Sequence, residues 1–154
     1  MTPRYTSARL HATSVGFDCG GAFSAALLLG KSGAGKSELG AELIGLGAML
    51  VADDQTCLKR VGNEIYLSAP EPLRGLIELR GMGILDVPSV EAARLVVVVD
   101  LDEVEAQRMP EPQFAEVHGV SIPRLRRCHG RAFAVGLKYY IMSRSGEGSP
   151  LCPL

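Results

Sequence analysis

Tryptophan is absent from this 154-residue chain, and aromatic residues make up only 5% of it. Stacking platforms for single-stranded nucleic acid are therefore not evident. A surplus of either charge is also missing: 16 basic against 17 acidic side chains leave a formal net charge of −1. Bulk attraction to nucleic acid or to a membrane surface is not indicated by such a balance. No apolar run approaches the roughly 20 residues of a spanning helix, and the N-terminus carries no signal-peptide core. Four cysteines, Cys19, Cys57, Cys128 and Cys152, are scattered without a C-x-x-C pair. That argues against a zinc site or redox dithiol and for reduced thiols used in packing. Together these absences predict a cytoplasmic protein with neither a nucleic-acid nor a membrane partner.

What remains is a composition of 47% apolar and 21% charged residues, suited to one soluble domain with a real core. Gly30-Lys31-Ser32-Gly33-Ala34-Gly35-Lys36-Ser37 fits G-x-x-x-x-G-K-[S/T]. In that pattern glycines let backbone N–H groups form a concave anion nest, the lysine reaches the β and γ phosphates, and the hydroxyl ligates Mg²⁺. The context agrees. Ala25 to Leu29 reads as a buried strand entering the loop, and Ser37 to Leu46 as a helix leaving it, with its N-terminal dipole toward the phosphates. Gly47 is a natural helix stop. A turn at Asp18 to Gly21 predicts a hairpin into the loop strand, and Val61-Gly62-Asn63 a second hairpin. Leu95 to Val99 is the surest central strand. The first nine residues read as a loose start, 73–86 as undecided, 101–118 as polar and irregular, and Val120 to Pro123 as an edge strand. A helix is expected over 131–142 and a flexible tail over 143–154. The whole is a mixed α/β domain with more hairpins than a simple parallel sheet would have.

A phosphate loop needs a carboxylate near the metal or the attacking oxygen. Asp53 and Asp54 end the short strand Leu50-Val51-Ala52 one helix after Lys36. Asp100 ends the valine run, which is the usual form of the second nucleotide-binding motif. In the pair Asp53-Asp54 one carboxylate could hold metal-bound water while the other takes a proton from an incoming hydroxyl; the plainer reading of Asp-Asp is a solvated turn or a helix cap.

Further residues carry a resemblance. Glu38 follows the loop, Leu50-Val51-Ala52-Asp53-Asp54 comes next, and then Leu76-Ile77-Glu78-Leu79-Arg80-Gly81-Met82-Gly83-Ile84-Leu85-Asp86-Val87. From near His11 to about Gly130 the chain resembles the C-terminal catalytic domain of bacterial HPr kinase/phosphorylase, in a short form lacking that family's N-terminal domain. The last stretch looks like the family's I-E-I-R-G-x-G-I-x-x-V signature.

The resemblance implies an α/β fold: a P-loop kinase domain of the phosphoenolpyruvate carboxykinase-like type, with a mixed sheet and hairpins, over residues 1–142. It implies an ATP-dependent serine kinase that phosphorylates HPr or a similar phosphocarrier in the regulation of carbohydrate metabolism, with phosphorylase activity as the reverse. ATP would lie over Gly30, Lys31, Ser32, Gly33, Ala34, Gly35, Lys36 and Ser37. Asp54 would be the general base, supported by Asp53, and Lys36 would stabilise charge on the transferred phosphoryl group. His11 and Arg108 resemble the family's upstream histidine and catalytic arginine, and Ser37 and Glu78 would hold Mg²⁺. The family's late Pro-, Gly- and Arg-rich loop is replaced by Pro123 to Arg131, and assembly into a homo-oligomer is left open.

Blander readings stand beside these. His11 can be a structural histidine, and Glu78 with Arg80 a surface ion pair worth at most about 1 kcal/mol. Arg124, Arg126, Arg127 and Arg131 can grip phosphate or an acidic partner, or line a solvated edge. Two other functions fit a phosphate loop: a small-molecule kinase using Asp100, and a nucleotide-binding regulator without transfer activity.

Overall fold

The computed structural model describes residues 1–145. Twelve strands and two α-helices follow one another: β1 (Arg4–Tyr5), β2 (Arg9–Leu10), β3 (Thr13–Cys19), β4 (Ala22–Leu29), α1 (Lys36–Gly45), β5 (Met49–Ala52), β6 (Thr56–Val61), β7 (Glu64–Ser68), β8 (Leu76–Leu79), β9 (Gly83–Asp86), β10 (Ala92–Val104), β11 (Gln113–Val117), β12 (Val120–Arg127) and α2 (Phe133–Ser145). Ten of the strands form one mixed sheet in the order β1-β11-β12-β10-β4-β3-β5, with β7 pairing to the start of β10 and β6 and β2 beyond it. The remaining hairpin, β8–β9, stands apart.

Strand direction decides where chemistry can sit. β4 and β10 run parallel, and β3 runs antiparallel to both β4 and β5. The C-terminal ends of β4, β5 and β10 therefore share one edge with the start of β3. The crevice beyond such carboxyl ends is where open α/β sheets bind ligands. Two cores sandwich the sheet. One packs Leu39 and Leu43 of α1 and Leu137 and Ile141 of α2 against Val15, Ala26, Leu28 and Val97, and the other closes Leu27 and Val98 under the β6–β7 hairpin. A bulge between Leu95 and Val97 reverses the side-chain alternation of β10. Leu95 and Val98 then share one core while Val97, Val99 and Leu101 share the other. Fully buried side chains such as Leu43 and Ile141 each contribute roughly 1.5–3 kcal/mol of transfer free energy. α1 lies close to the sheet because residue 40 is glycine: a Cβ there would stand 3.0 Å from Thr13 Cγ2.

Several expectations are corrected. The start is not loose: β1 pairs with β11 and β2 with β6, and the Glu116 N–H donates to the Pro3 carbonyl at 2.8 Å. The undecided 73–86 stretch is mainly the β8–β9 hairpin, turning at 80–82. The polar 101–118 stretch holds the end of β10 and all of β11. β12 is no edge strand: it lies between β10 and β11. Pro123 is tolerated because that part of β12 pairs with β11 alone, and the β10 ladder begins at Arg124. α2 runs three residues past Met142 to Ser145; the rest of the expected tail lies outside the described residues. Cys19 and Cys57 are half-buried, but Cys128 is exposed and is not a packing residue. Among the described residues no helix is long and apolar enough to cross a membrane.

Candidate functional site

The loop 30–35 leaves the end of β4 and enters α1. Gly35 caps the helix with φ 97°, a left-handed conformation that costs glycine nothing. Arg127, at the end of β12, donates to the Ala34 carbonyl and, through Nε, to the Leu101 carbonyl at 3.4 Å. Asp102 accepts the Lys31 N–H at 3.0 Å. The loop is thus tied to β10 and β12 on one side. Lys36 is 6% exposed, and its ammonium donates to the carbonyls of Gly30 (2.6 Å) and Lys31 (3.1 Å). Its charge is held inside the loop's curve.

On the other side lies β5. Asp53 is buried, and three donors converge on its carboxylate: the Thr13 hydroxyl at 2.8 Å and the Ser37 hydroxyl at 2.7 Å on Oδ1, and the Glu78 N–H at 3.0 Å on Oδ2. One carboxylate therefore joins β3, α1 and β8. Asp54 adopts φ 66°, a conformation Asp tolerates better than most residues, and its side chain is 67% exposed. Its Oδ1 lies 2.9 Å from His11 Nε2. A cavity of about 330 Å³ is walled by these groups: His11, Thr13, Lys36, Ser37, Asp53 and Asp54, together with Gly33, Glu78 and Arg80.

The cavity thus brings together His11, Lys36, Ser37, Asp53, Asp54 and Glu78 from the sequence reading. Arg108 is not among its walls and sits exposed on the loop between β10 and β11. Asp100 is not there either. It accepts the Asp102 N–H at 2.9 Å and Arg124 Nη2 at 2.7 Å. Arg124 is buried and also donates to Glu103. Burial opposes its charge, but the bonds to Glu103 and Asp100 outweigh burial and raise the guanidinium pKa. Two arginines of the late cluster are accordingly structural: Arg124 neutralises Asp100, and Arg127 braces the loop. Sequence reasoning missed Thr13. The available signal was its place two residues after His11, on a strand whose hairpin partner leads into the phosphate loop. Among the described residues no group of three His, Cys, Asp or Glu side chains can hold a metal unaided. The hard oxygens of Ser37, Asp53 and Glu78 fit Mg²⁺ only with ligands from water or phosphate, which is that ion's habit.

A loop of this form between a central strand and a helix, with acids across a cleft, defines an α/β domain suited to a polyphosphate anion. More narrowly, the chain belongs to the HPr Serine kinase C-terminal domain family, whose model matches residues 22–126. It is 46% identical over 85 residues to HPr kinase/phosphorylase of Alkaliphilus metalliredigens, covering 50% of this chain and 28% of that protein. It is 42% identical over 113 residues to the Leptothrix cholodnii protein of that name, covering 64% and 35%. With the Cupriavidus metallidurans one it shares 39% over 123 residues, covering 71% and 38%. The matched region is about a third of the length of these relatives. The solved structure of the Hpr(Ser) kinase/phosphatase from Coxiella burnetii has the same fold, with TM-score 0.69 and 24% identity over 86% of this chain and 87% of that one.

Proposed function

We propose that this domain is an ATP-dependent protein serine kinase acting on HPr or a similar phosphocarrier, built as a P-loop domain of the phosphoenolpyruvate carboxykinase-like type. One observation carries the reading: Lys36, Ser37, Asp53, Asp54 and His11 wall a single cavity at the carboxyl ends of the sheet. ATP would lie in the nest of residues 30–37. Mg²⁺, when bound, would neutralise phosphate charge, held by Ser37 and Glu78 with Asp53 orienting the Ser37 hydroxyl. Lys36 would stabilise charge on the transferred phosphoryl group. Asp54 would accept the proton of the incoming serine hydroxyl as the serine O–P bond forms and the bond to the ADP oxygen breaks. His11, 2.9 Å away, would orient that carboxylate. In phosphorolysis inorganic phosphate would attack the phosphoserine phosphorus as the serine O–P bond breaks, giving pyrophosphate, and the same carboxyl, now as the acid, would return the proton to the leaving serine oxygen.

The Asp100 reading is disfavoured because that carboxylate is neutralised by Arg124. The test is transfer from γ-labelled ATP to purified HPr. Label on an HPr serine is the expected result. ATP binding without label on HPr favours a nucleotide-binding regulator instead.

A further inference from the structure

A second cavity, of about 530 Å³, lies between the end of β12, the start of β11 and residues 1–3. It shares no wall residue with the cavity that holds Asp54. Pro3, Pro112 and Phe114 form apolar walls, and Arg124 and Arg126 line it from β12. We infer that Arg126 makes this cavity a binding site for a small molecule carrying a carboxylate or phosphate group. The site is separate from the proposed kinase chemistry and does not depend on it.

Residues two apart on a strand share a face, so Arg124 and Arg126 stand side by side. Two acids are near them. Asp100 is the ladder partner of Arg126 on β10, and Glu103 lines the cavity. Both bind Arg124 instead: its Nη2 donates to Asp100 at 2.7 Å and to Glu103. Arg126 is left without an acid. Among the described residues its guanidinium makes no ion pair and no hydrogen bond. Its Nε is nevertheless buried, as is that of Arg124, whose side chain is 6% exposed, and neither Nε has an acceptor. Buried donors are seldom left so, and an orphan commonly marks the place of a water or an ion. Water satisfies a donor but does not balance a charge, and a guanidinium does not lose its proton. An oxyanion does both. Two oxygens of one carboxylate or phosphate accept side by side from the planar fork of an arginine. The apolar walls keep water from one side of the pair, which strengthens such bonds.

NMR titration of the intact chain tests this residue by residue. Such resolution is needed because Asp102, beside Glu103 on β10, accepts the Lys31 N–H of the phosphate loop, so the two sites adjoin. Inorganic phosphate and succinate are added in separate titrations at constant ionic strength. The Nε–Hε signals of Arg124 and Arg126 report the cavity, and the amides of Gly33 and Gly35 report the loop. The Arg126 signal is expected to move along a saturating curve with its own midpoint. Tighter binding of phosphate marks the ligand as a phosphate ester, and tighter binding of succinate as a carboxylate. Arg126→Gln should weaken binding in the cavity roughly tenfold or more, the weight of one hydrogen bond to a charged group. That loss is read on Arg124, with the loop's midpoint for phosphate unchanged. Arg126→Lys keeps the charge without the fork and should weaken binding less; it gives the same comparison if the glutamine variant does not fold. An Arg126 signal that moves with neither probe overturns the inference. So does an Arg124 curve that is the same in wild type and in the variants.

Discussion

Asp53→Asn tests how the site is held together. The wild-type carboxylate is 6% exposed and accepts from Thr13, Ser37 and the Glu78 N–H. An amide has one acceptor oxygen. If that oxygen keeps the two hydroxyls, its NH₂ meets the Glu78 N–H, donor against donor. Leaving a buried donor unsatisfied costs about 1–3 kcal/mol. The two hydroxyl bonds also pass from a charged to a neutral acceptor, roughly 0.5 kcal/mol or more each. The total is about 2–4 kcal/mol, which lowers the melting temperature of a chain this size by roughly 5–12 °C. Thermal unfolding by circular dichroism measures the shift, and amide exchange should show lost protection at Glu78. A variant that melts at the wild-type midpoint with Glu78 still protected would refute the convergence on Asp53.

Three further outcomes follow from the packing. Arg124→Ala strands Asp100, whose side chain is 18% exposed. Urea unfolding should report a loss of about 2–3 kcal/mol, discounted from a fully buried pair for that exposure. Gly40→Val drives a branched side chain toward Thr13 Cγ2 and Val15 Cγ1; overpacking should cost about 1–3 kcal/mol in the same assay. Although Cys128 is exposed overall, partial desolvation of its sulfur, and then the charge of Glu105, push the thiol up. Both disfavour the reactive thiolate, so iodoacetamide should modify Cys128 more slowly at pH 8 than an ordinary cysteine. Glu105→Gln should speed the reaction, and an unchanged rate would remove Glu105 from the cause.

How much of this was legible depends on whether the signal was local. Gly30, Gly35, Lys36 and Ser37 spell a phosphate-loop pattern by their local spacing alone. The valine run of β10 was equally plain, and Gly20-Gly21 set the β3–β4 hairpin. The continuation of β10 through Asp102 and Glu103 was hidden, since polar residues there serve the loop and Arg124 instead of a core. β8–β9 was hidden because its hairpin packs on one side only, leaving Met82 and Ile84 exposed. Its alternation carried no clear signal. β12 looked like an edge because of Pro123 and its arginines. Only the long-range register shows that Arg124 and Arg127 point at partners from β10 and the phosphate loop. Thr13 belongs with these. Its bond to Asp53 spans 40 residues and depends on β3 lying between β4 and β5.

Asp54, not Asp100, is the carboxylate proposed to do the chemistry. The direct measurement is the single-turnover rate of phosphoryl transfer from ATP to HPr by wild type, Asp54→Asn and Asp100→Asn, with ATP affinity measured alongside. Asp54→Asn should slow transfer roughly 10²–10⁴-fold, the usual weight of a general base, with ATP still bound. Asp100→Asn should transfer at close to the wild-type rate. Undiminished transfer by Asp54→Asn, or a loss confined to Asp100→Asn, would contradict the account.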